Sequence, residues 1–132
     1  MLRTKSIEEF ATHIYGVYAF RITGEVQGED LEAMANKMNQ VFDRMEQVDM
    51  LVSFKNDEGA ELTAALNIEV IKAQFRALSN VRNYCVVHAP ESSKKTIEFF
   101  DSILPVKAST FSSEHNALEH LRAQEPLTQS AA

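Results

Sequence analysis

Residues 14–24 read IYGVYAFRITG, and the rest of the predicted fold is built outward from this stretch. β-Branched and aromatic residues fill it, a composition that suits a pleated and packed surface. Because few polar positions remain, we expect both faces to be covered, as in a central strand with helices packed on its sheet. Gly24 ends the predicted strand, and a charged helical segment follows almost at once.

The overall composition is that of an ordinary globular chain. Its 132 residues are 45% hydrophobic and 24% charged, which predicts one folded domain and excludes a disordered or fibrous protein. The net charge of −6 argues against electrostatic binding to nucleic acid or to anionic lipid headgroups. No stretch reaches the roughly 18 apolar residues of a membrane span, and the first ten residues lack the apolar core of a signal peptide. We therefore expect a cytoplasmic protein with no integral membrane association.

The apolar periodicity predicts the element order β-β-α-β-α-β-α-β-α. Strands are predicted at residues 6–13, 14–24, 48–54, 81–89 and 106–111. Helices are predicted at residues 29–45, 61–79, 94–104 and 114–123. Strands that alternate with helices indicate an α/β fold with a mixed, mostly parallel five-stranded sheet and about four helices. We expect residues 1–123 to form the domain and residues 124–132, which include a proline and small polar residues, to form a flexible tail.

This order, with GVYAFRITGEVQGEDLEAM near the start, VDMLVSF in the middle and ALEHLRA near the end, resembles the SpoIIAA-like family. The family is grouped with STAS domains and compared with CRAL-TRIO lipid-binding domains. The resemblance covers about residues 6–123 and implies a small STAS-like α/β domain. STAS antagonists switch through a phosphorylated serine or threonine in an Asp-Ser turn, which the matching SFKNDEGAELT lacks. Thr63 is the remaining candidate, and we interpret it as an ordinary residue of the helix start.

Ligands of parallel sheets gather at the carboxyl ends of the strands, here residues 24–29, 55–62 and 88–93. The candidate loop for a ligand or partner comprises Lys55, Asn56, Asp57, Glu58, Thr63 and His88. Carboxylates such as Asp57 suit a hard cation, but their spacing matches no metal loop, so we predict no metal site. A general-base role for His88 needs a nucleophile and an orienting carboxylate, and the spacing offers neither. We therefore predict no catalytic residue, no cofactor and no enzymatic activity.

Two functions remain open at this point. The first is a regulatory module that acts by protein–protein contact through residues 55–63 and the outward face of the helix that follows. The second is a carrier or sensor of a small apolar ligand or lipid in an internal cavity, with an apolar wall formed by Met34, Met38, Phe42 and Phe75. Methionine is adaptable enough for a variable guest and is equally common as core filler. Exposed edge strands also make a homodimer plausible.

Overall fold

The computed structural model describes residues 1–54, 60–62, 69, 73, 80–87, 94–104 and 106–127. The described strands are β1 (Ile7–Phe10), β2 (Val17–Ile22), β3 (Gly24–Val26), β4 (Val48–Phe54), β5 (Ala60–Leu62), β6 (Val81–Val87) and β7 (Ala108–Phe111). The described helices are α1 (Gly28–Phe42), α2 (Lys94–Ile103) and α3 (Glu114–Arg122). Glu69 and Ala73 are helical and exposed, and they lie in the predicted helix of residues 61–79, most of which is outside the described residues.

The main sheet has five strands in the order β1-β2-β4-β6-β7. β1 runs antiparallel to β2, and every other neighbouring pair is parallel, which confirms the predicted mixed α/β sheet. The parallel strands follow one another across the sheet in chain order. The two described helices that connect these strands, α1 and α2, pack on one and the same face, as crossovers of one hand require.

The two faces of the sheet carry cores of different size. The larger core joins α1 and α2 to the sheet, and Met34, Phe20, Val52 and Phe100 belong to it. The smaller core lies under α3, where Ala117 and Leu121 join five buried side chains of the strands. Those five are Val17, Ala19, Leu51, Cys85 and Val87. One nine-residue helix thus supplies the buried helical residues of one face, and the crossover helices supply those of the other.

β2 has both faces covered, as its composition predicts, because Ala19 and Phe20 point to opposite sides and are both fully buried. The prediction that it is the central strand is wrong, since β4 is the middle strand and is buried along its whole length. On one side of β4 lie β2 and then β1, and on its other side lie β6 and then β7. The apolar run of β2 therefore reflects coverage of both faces and not the middle position.

A second, two-stranded sheet corrects the prediction at two places. Gly24 begins β3 and does not end the extended chain, and β3 pairs in parallel with β5. Glu61 and Leu62 therefore lie in a strand, where the sequence predicted the start of a helix. Gly24 has φ of +68°, so the chain turns between β2 and β3 in a conformation that glycine adopts without a steric penalty. Tertiary pairing outweighs the local helical pattern at these residues.

The helix ends follow the sequence closely. The backbone N–H of Gln27 donates to Asp30 Oδ2 at 2.9 Å, so the predicted acidic residue sits in the first turn of α1. Ser113 Oγ accepts from the backbone N–H of Asn116 at 3.1 Å, which confirms a serine cap on α3. α1 ends at Phe42, three residues before the predicted end. Within the described part of the chain, no helix is long and apolar enough to cross a bilayer.

The C-terminal segment is described as far as Leu127. Arg82 Nη1 donates to the backbone carbonyl of Glu125 at 2.8 Å, and Gln124 Nε2 donates to the carbonyl of His120 at 3.0 Å. A Cβ built on Gly16 would lie 2.6 Å from Leu127 Cδ1, so the tail passes directly over the backbone of the β1–β2 turn.

Candidate functional site

Most of the loop residues that the sequence singled out lie outside the described residues. These are Lys55, Asn56, Asp57, Glu58, Thr63 and His88, together with Phe75 of the proposed apolar wall. The structure does fix the chain on either side of residues 55–59. Phe54 is paired with Ile22, and Ala60 is paired with Gly24, so both ends of the loop meet the same stretch of chain.

Three residues of the proposed apolar wall belong to the larger core. Met34 and Met38 are fully buried, and Phe42 is nearly so. This core also contains Val86 of β6 and Leu104, which directly follows α2. Met34, Met38 and Phe42 are not among the described residues that line a cavity at the β7 edge, which lies beyond them.

A cavity of about 530 Å³ lies between α2 and the end of the sheet; we call it the α2–β7 cavity. Its described lining consists of Val86, Ile97, Asp101, Leu104, Val106, Lys107, Ala108 and Thr110. Five of these side chains are apolar. Asp101, Lys107 and Thr110 are exposed, and they mark the side on which the cavity meets solvent.

Helix periodicity brings one wall of the cavity together. Ile97, Asp101 and Leu104 are spaced by four and three residues, so they lie on one face of α2. Ile97 and Leu104 also pack in the larger core, which identifies this face as the one turned toward the sheet. Asp101 is therefore a carboxylate on the apolar stripe of its helix.

Strand alternation supplies the opposite wall. Ala108 and Thr110 share one face of β7, while Ser109 points to the other face. Ala108 is the ladder partner of Tyr84, and Thr110 is the ladder partner of Val86. A methyl group at residue 108 reaches less far toward α2 than a branched aliphatic side chain would, and this leaves the space that the cavity occupies.

The cavity carries two opposite charges that lack ion pairs. Within the described part of the chain, neither Asp101 nor Lys107 lies within ion-pair distance of an opposite charge. Burial, followed by the nearby charge of Glu98, raises the pKa of Asp101 above its ordinary value. A partly desolvated carboxylate and an ammonium group therefore both border an apolar space.

The hydroxyl of Tyr84 is a further polar group in this region. Tyr84 is almost completely buried, and its hydroxyl has no hydrogen-bond partner among the residues that the structure describes. Burial raises the pKa of Tyr84, and the charges of Asp101 and then Cys85 raise it further. Tyr84 thus lies in the electrostatic field of a cavity-lining residue, and its ladder partner Ala108 lines the same cavity.

Asp49 and Cys85 are buried polar groups with structural roles. Asp49 accepts hydrogen bonds from two nitrogens of Arg82 and from the backbone and side chain of Asn83. Cys85 is buried in the smaller core, and burial raises the pKa of its thiol to about 12, so the thiolate nucleophile does not form near neutral pH. Among the described residues, no group of three His, Cys, Asp or Glu side chains is placed to hold a metal ion.

The sequence predicts the helix and the strand that line this cavity, but it does not predict the cavity between them. Ile97 and Leu104 are on the predicted apolar face of α2, and residues 106–111 form the predicted last strand. Two features of the sequence indicate this region: Asp101 interrupts the apolar face of α2, and the last strand carries small side chains. Both features are common on solvated surfaces, so they identify a cavity only once the two elements are placed together.

Comparisons with known proteins agree with this fold. A family model described as SpoIIAA-like matches residues 17–122. A crystal structure of an uncharacterised protein from the DUF3478 family, from Shewanella loihica PV-4, has a SpoIIAA-like fold and superposes with a TM-score of 0.61. That chain is 14% identical, and the match covers 92% of this chain and 98% of that one. No curated protein matches the sequence.

Proposed function

The chain belongs to the SpoIIAA-like family, and from this premise we propose that it is a non-catalytic binding module that takes a small, largely apolar molecule in the α2–β7 cavity. The observation that carries the proposal is the cavity itself. Its volume of about 530 Å³ falls within the roughly 300–1,000 Å³ of small-molecule sites. Its lining of apolar side chains with a few polar groups is also typical of such sites.

The side chains that line the cavity support a binding role and not a catalytic one. Asp101 and Lys107 are the titratable groups among its described lining residues, and no nucleophilic Cys or Ser accompanies them. A carboxylate and an ammonium group without a positioned nucleophile offer no acyl-transfer arrangement. Binding of a guest is what this set of side chains is suited to do.

The proposal is tested by filling the cavity from β7. A fluorescent apolar probe such as N-phenyl-1-naphthylamine is titrated into the wild-type protein and into Ala108→Phe. We expect the larger side chain to occupy the space between β7 and α2 and to weaken probe binding by roughly tenfold or more, equivalent to at least about 1.4 kcal/mol.

Ser109→Phe is the matched control, because it adds the same ring to the same strand on the opposite face. Probe affinity in this variant should stay within about twofold of wild type, a change below 0.6 kcal/mol at the ~1.4 kcal/mol per tenfold scale. Circular dichroism establishes that both variants are folded. Equal affinity of all three proteins for the probe would rule out the cavity as the binding site.

A second proposed function is regulation through protein contacts at the loop of Lys55, Asn56, Asp57, Glu58 and Thr63. The observation in its favour is that the residues on either side of residues 55–59, Phe54 and Ala60, pair with Ile22 and Gly24 at the carboxyl end of β2. Crosslinking of wild type and of Asp57→Lys at cellular concentration tests it. Loss of a crosslinked partner in the variant supports the role, and an unchanged pattern opposes it.

A further inference from the structure

Two unpaired charges of opposite sign border the α2–β7 cavity, and they differ in position. Asp101 projects from the apolar face of α2, between Ile97 and Leu104. Lys107 immediately precedes β7 on the other side of the cavity. In the described part of the chain they pair neither with each other nor with another charged group.

From this arrangement we propose that the occupant of the cavity is amphipathic, with an apolar chain and a zwitterionic polar end. Its cationic group pairs with Asp101, its anionic group pairs with Lys107, and its apolar chain lies against Val86, Leu104 and Ala108. This assignment rests on the proposed function, because it names the class of molecule that the cavity binds.

Charge complementarity excludes the simpler amphiphiles. A fatty acid gains from Lys107 but brings its carboxylate near that of Asp101, and an alkylamine meets the reverse conflict. A neutral alcohol leaves both charges without a counter-charge. Hydrogen bonds between charged partners are roughly twice as strong as neutral ones, so a zwitterion that satisfies both groups is the favoured head group.

The hydroxyl of Tyr84 provides an independent reason to expect a polar group at this place. A buried hydroxyl without a hydrogen-bond partner costs free energy and is rare in native proteins. Tyr84 lies within the electrostatic reach of Asp101, and its ladder partner Ala108 lines the cavity. Tyr84 is not itself among the described lining residues, and the described chain supplies no hydrogen-bond partner to its hydroxyl.

The test compares ligands that share an eight-carbon chain and differ in the head group. Isothermal titration calorimetry at neutral pH uses two zwitterions with different charge separation, 2-aminooctanoate and octylphosphocholine. Octanoate, octylamine and octanol serve as the anionic, cationic and neutral references. We expect at least one zwitterion to bind roughly tenfold more tightly than every reference ligand, as two charge-assisted contacts imply.

Two variants that remove one charge each then assign the charges. Asp101→Asn should remove the preference of the site for the zwitterion over octanoate, and Lys107→Gln should remove its preference over octylamine. Both side chains are exposed, so neither substitution disturbs the core. Asp43→Asn is the control, because it neutralises an exposed carboxylate at the end of α1 that is not part of the described cavity lining.

The outcomes separate this inference from the function on which it rests. Equal affinity for all head groups, or affinities that the two variants leave unchanged, would overturn the zwitterion and leave apolar binding standing. Binding of the naphthylamine probe without binding of any eight-carbon ligand would have the same meaning. Failure of Ala108→Phe to affect the probe would overturn the site itself, and the inference with it.

Discussion

Replacing Arg82 with methionine removes the cation that neutralises a buried carboxylate. Asp49 is 1% exposed, and Arg82 Nε and Nη2 donate to its two oxygens at 3.1 and 2.9 Å. Asn83 donates to Oδ1 through both its backbone and its side chain. In Arg82→Met, Oδ1 keeps the donors of Asn83, whereas Oδ2 loses its arginine donor.

The expected loss of stability follows from the burial of this pair. Removing one partner of a buried ion pair costs about 3–5 kcal/mol, because the remaining charge stays desolvated. Arg82 is itself 23% exposed, so water reaches the vacated position, and we expect about 3 kcal/mol. The contact of Arg82 with the carbonyl of Glu125 adds to this value, since the tail loses a hydrogen bond worth roughly 1 kcal/mol.

Urea denaturation followed by far-ultraviolet circular dichroism measures the change, because the chain has no tryptophan to report by fluorescence. Arg3→Met is the matched control: its pair with Glu8 is 79% and 40% exposed, and such pairs contribute less than about 1 kcal/mol. The double variant Arg82→Met/Asp49→Leu should be more stable than Arg82→Met alone, because no unpaired charge remains. A cost for Arg82→Met no larger than that of the control would refute the reasoning.

Three further predictions concern single groups whose surroundings are known. Tyr84→Phe should leave the free energy of unfolding unchanged or raise it by up to about 1–3 kcal/mol, because the lost hydroxyl has no partner among the described residues. A clear loss of stability in thermal melts would show that the hydroxyl does have a hydrogen-bond partner. Cys85 has its pKa raised to about 12 by burial, whereas the thiol of the unfolded chain ionises near pH 8.5. The unfolded state therefore releases a proton first as pH rises, and stability relative to Cys85→Ala should fall by at most about 1.4 kcal/mol per pH unit between roughly pH 9 and 12. The same dependence of stability on pH in the wild type and in Cys85→Ala would contradict the burial of this thiol. Gly16→Ala should cost more than Gly24→Ala, although both glycines have positive φ, which costs roughly 1–2 kcal/mol in alanine. A Cβ at Gly16 also meets Leu127, whereas one at Gly24 meets no described atom within 4 Å. Equal denaturation midpoints for the two variants would show that Leu127 moves away freely.

The parts of the fold that the sequence predicts well are those with a dense local signal. The apolar run of residues 48–54 becomes the fully buried β4 with the same bounds. The three- and four-residue spacing of Leu31, Met34 and Met38 becomes the buried face of α1. The spacing of apolar residues depends on the geometry of a single element and on which of its sides is buried. It therefore predicts the element without knowledge of what packs against that side.

The parts that the sequence does not predict depend on residues far apart in the chain. Asp49 and Arg82 are separated by 33 positions, and each alone resembles an ordinary charge at the start of an apolar strand. Glu61 and Leu62 fit a helical pattern but pair with β3, because an extended neighbour is available there. Neither contact leaves a local signature, so only the assembled sheet reveals it.

Topology explains why the cavity lies at β7. Each crossover from β2 onward moves one strand in the same direction, and the described crossover helices α1 and α2 pack on the same face. α2 is the last of them, and within the described residues no strand lies beyond β7, so its outer flank meets solvent above a short strand of small residues.

The opposite edge of the sheet is arranged differently. There the N-terminal residues fold back on β1, where Arg3 bridges Glu8 and the backbone N–H of Glu9 donates to the carbonyl of Leu2 at 2.9 Å. One edge is thus covered by the chain itself, and the other combines an edge strand with the cavity. A second copy that paired along β7 would also border the cavity mouth at Lys107. Probe affinity should therefore depend on protein concentration if the homodimer forms there, and analytical ultracentrifugation of the same samples distinguishes that coupling from independent sites.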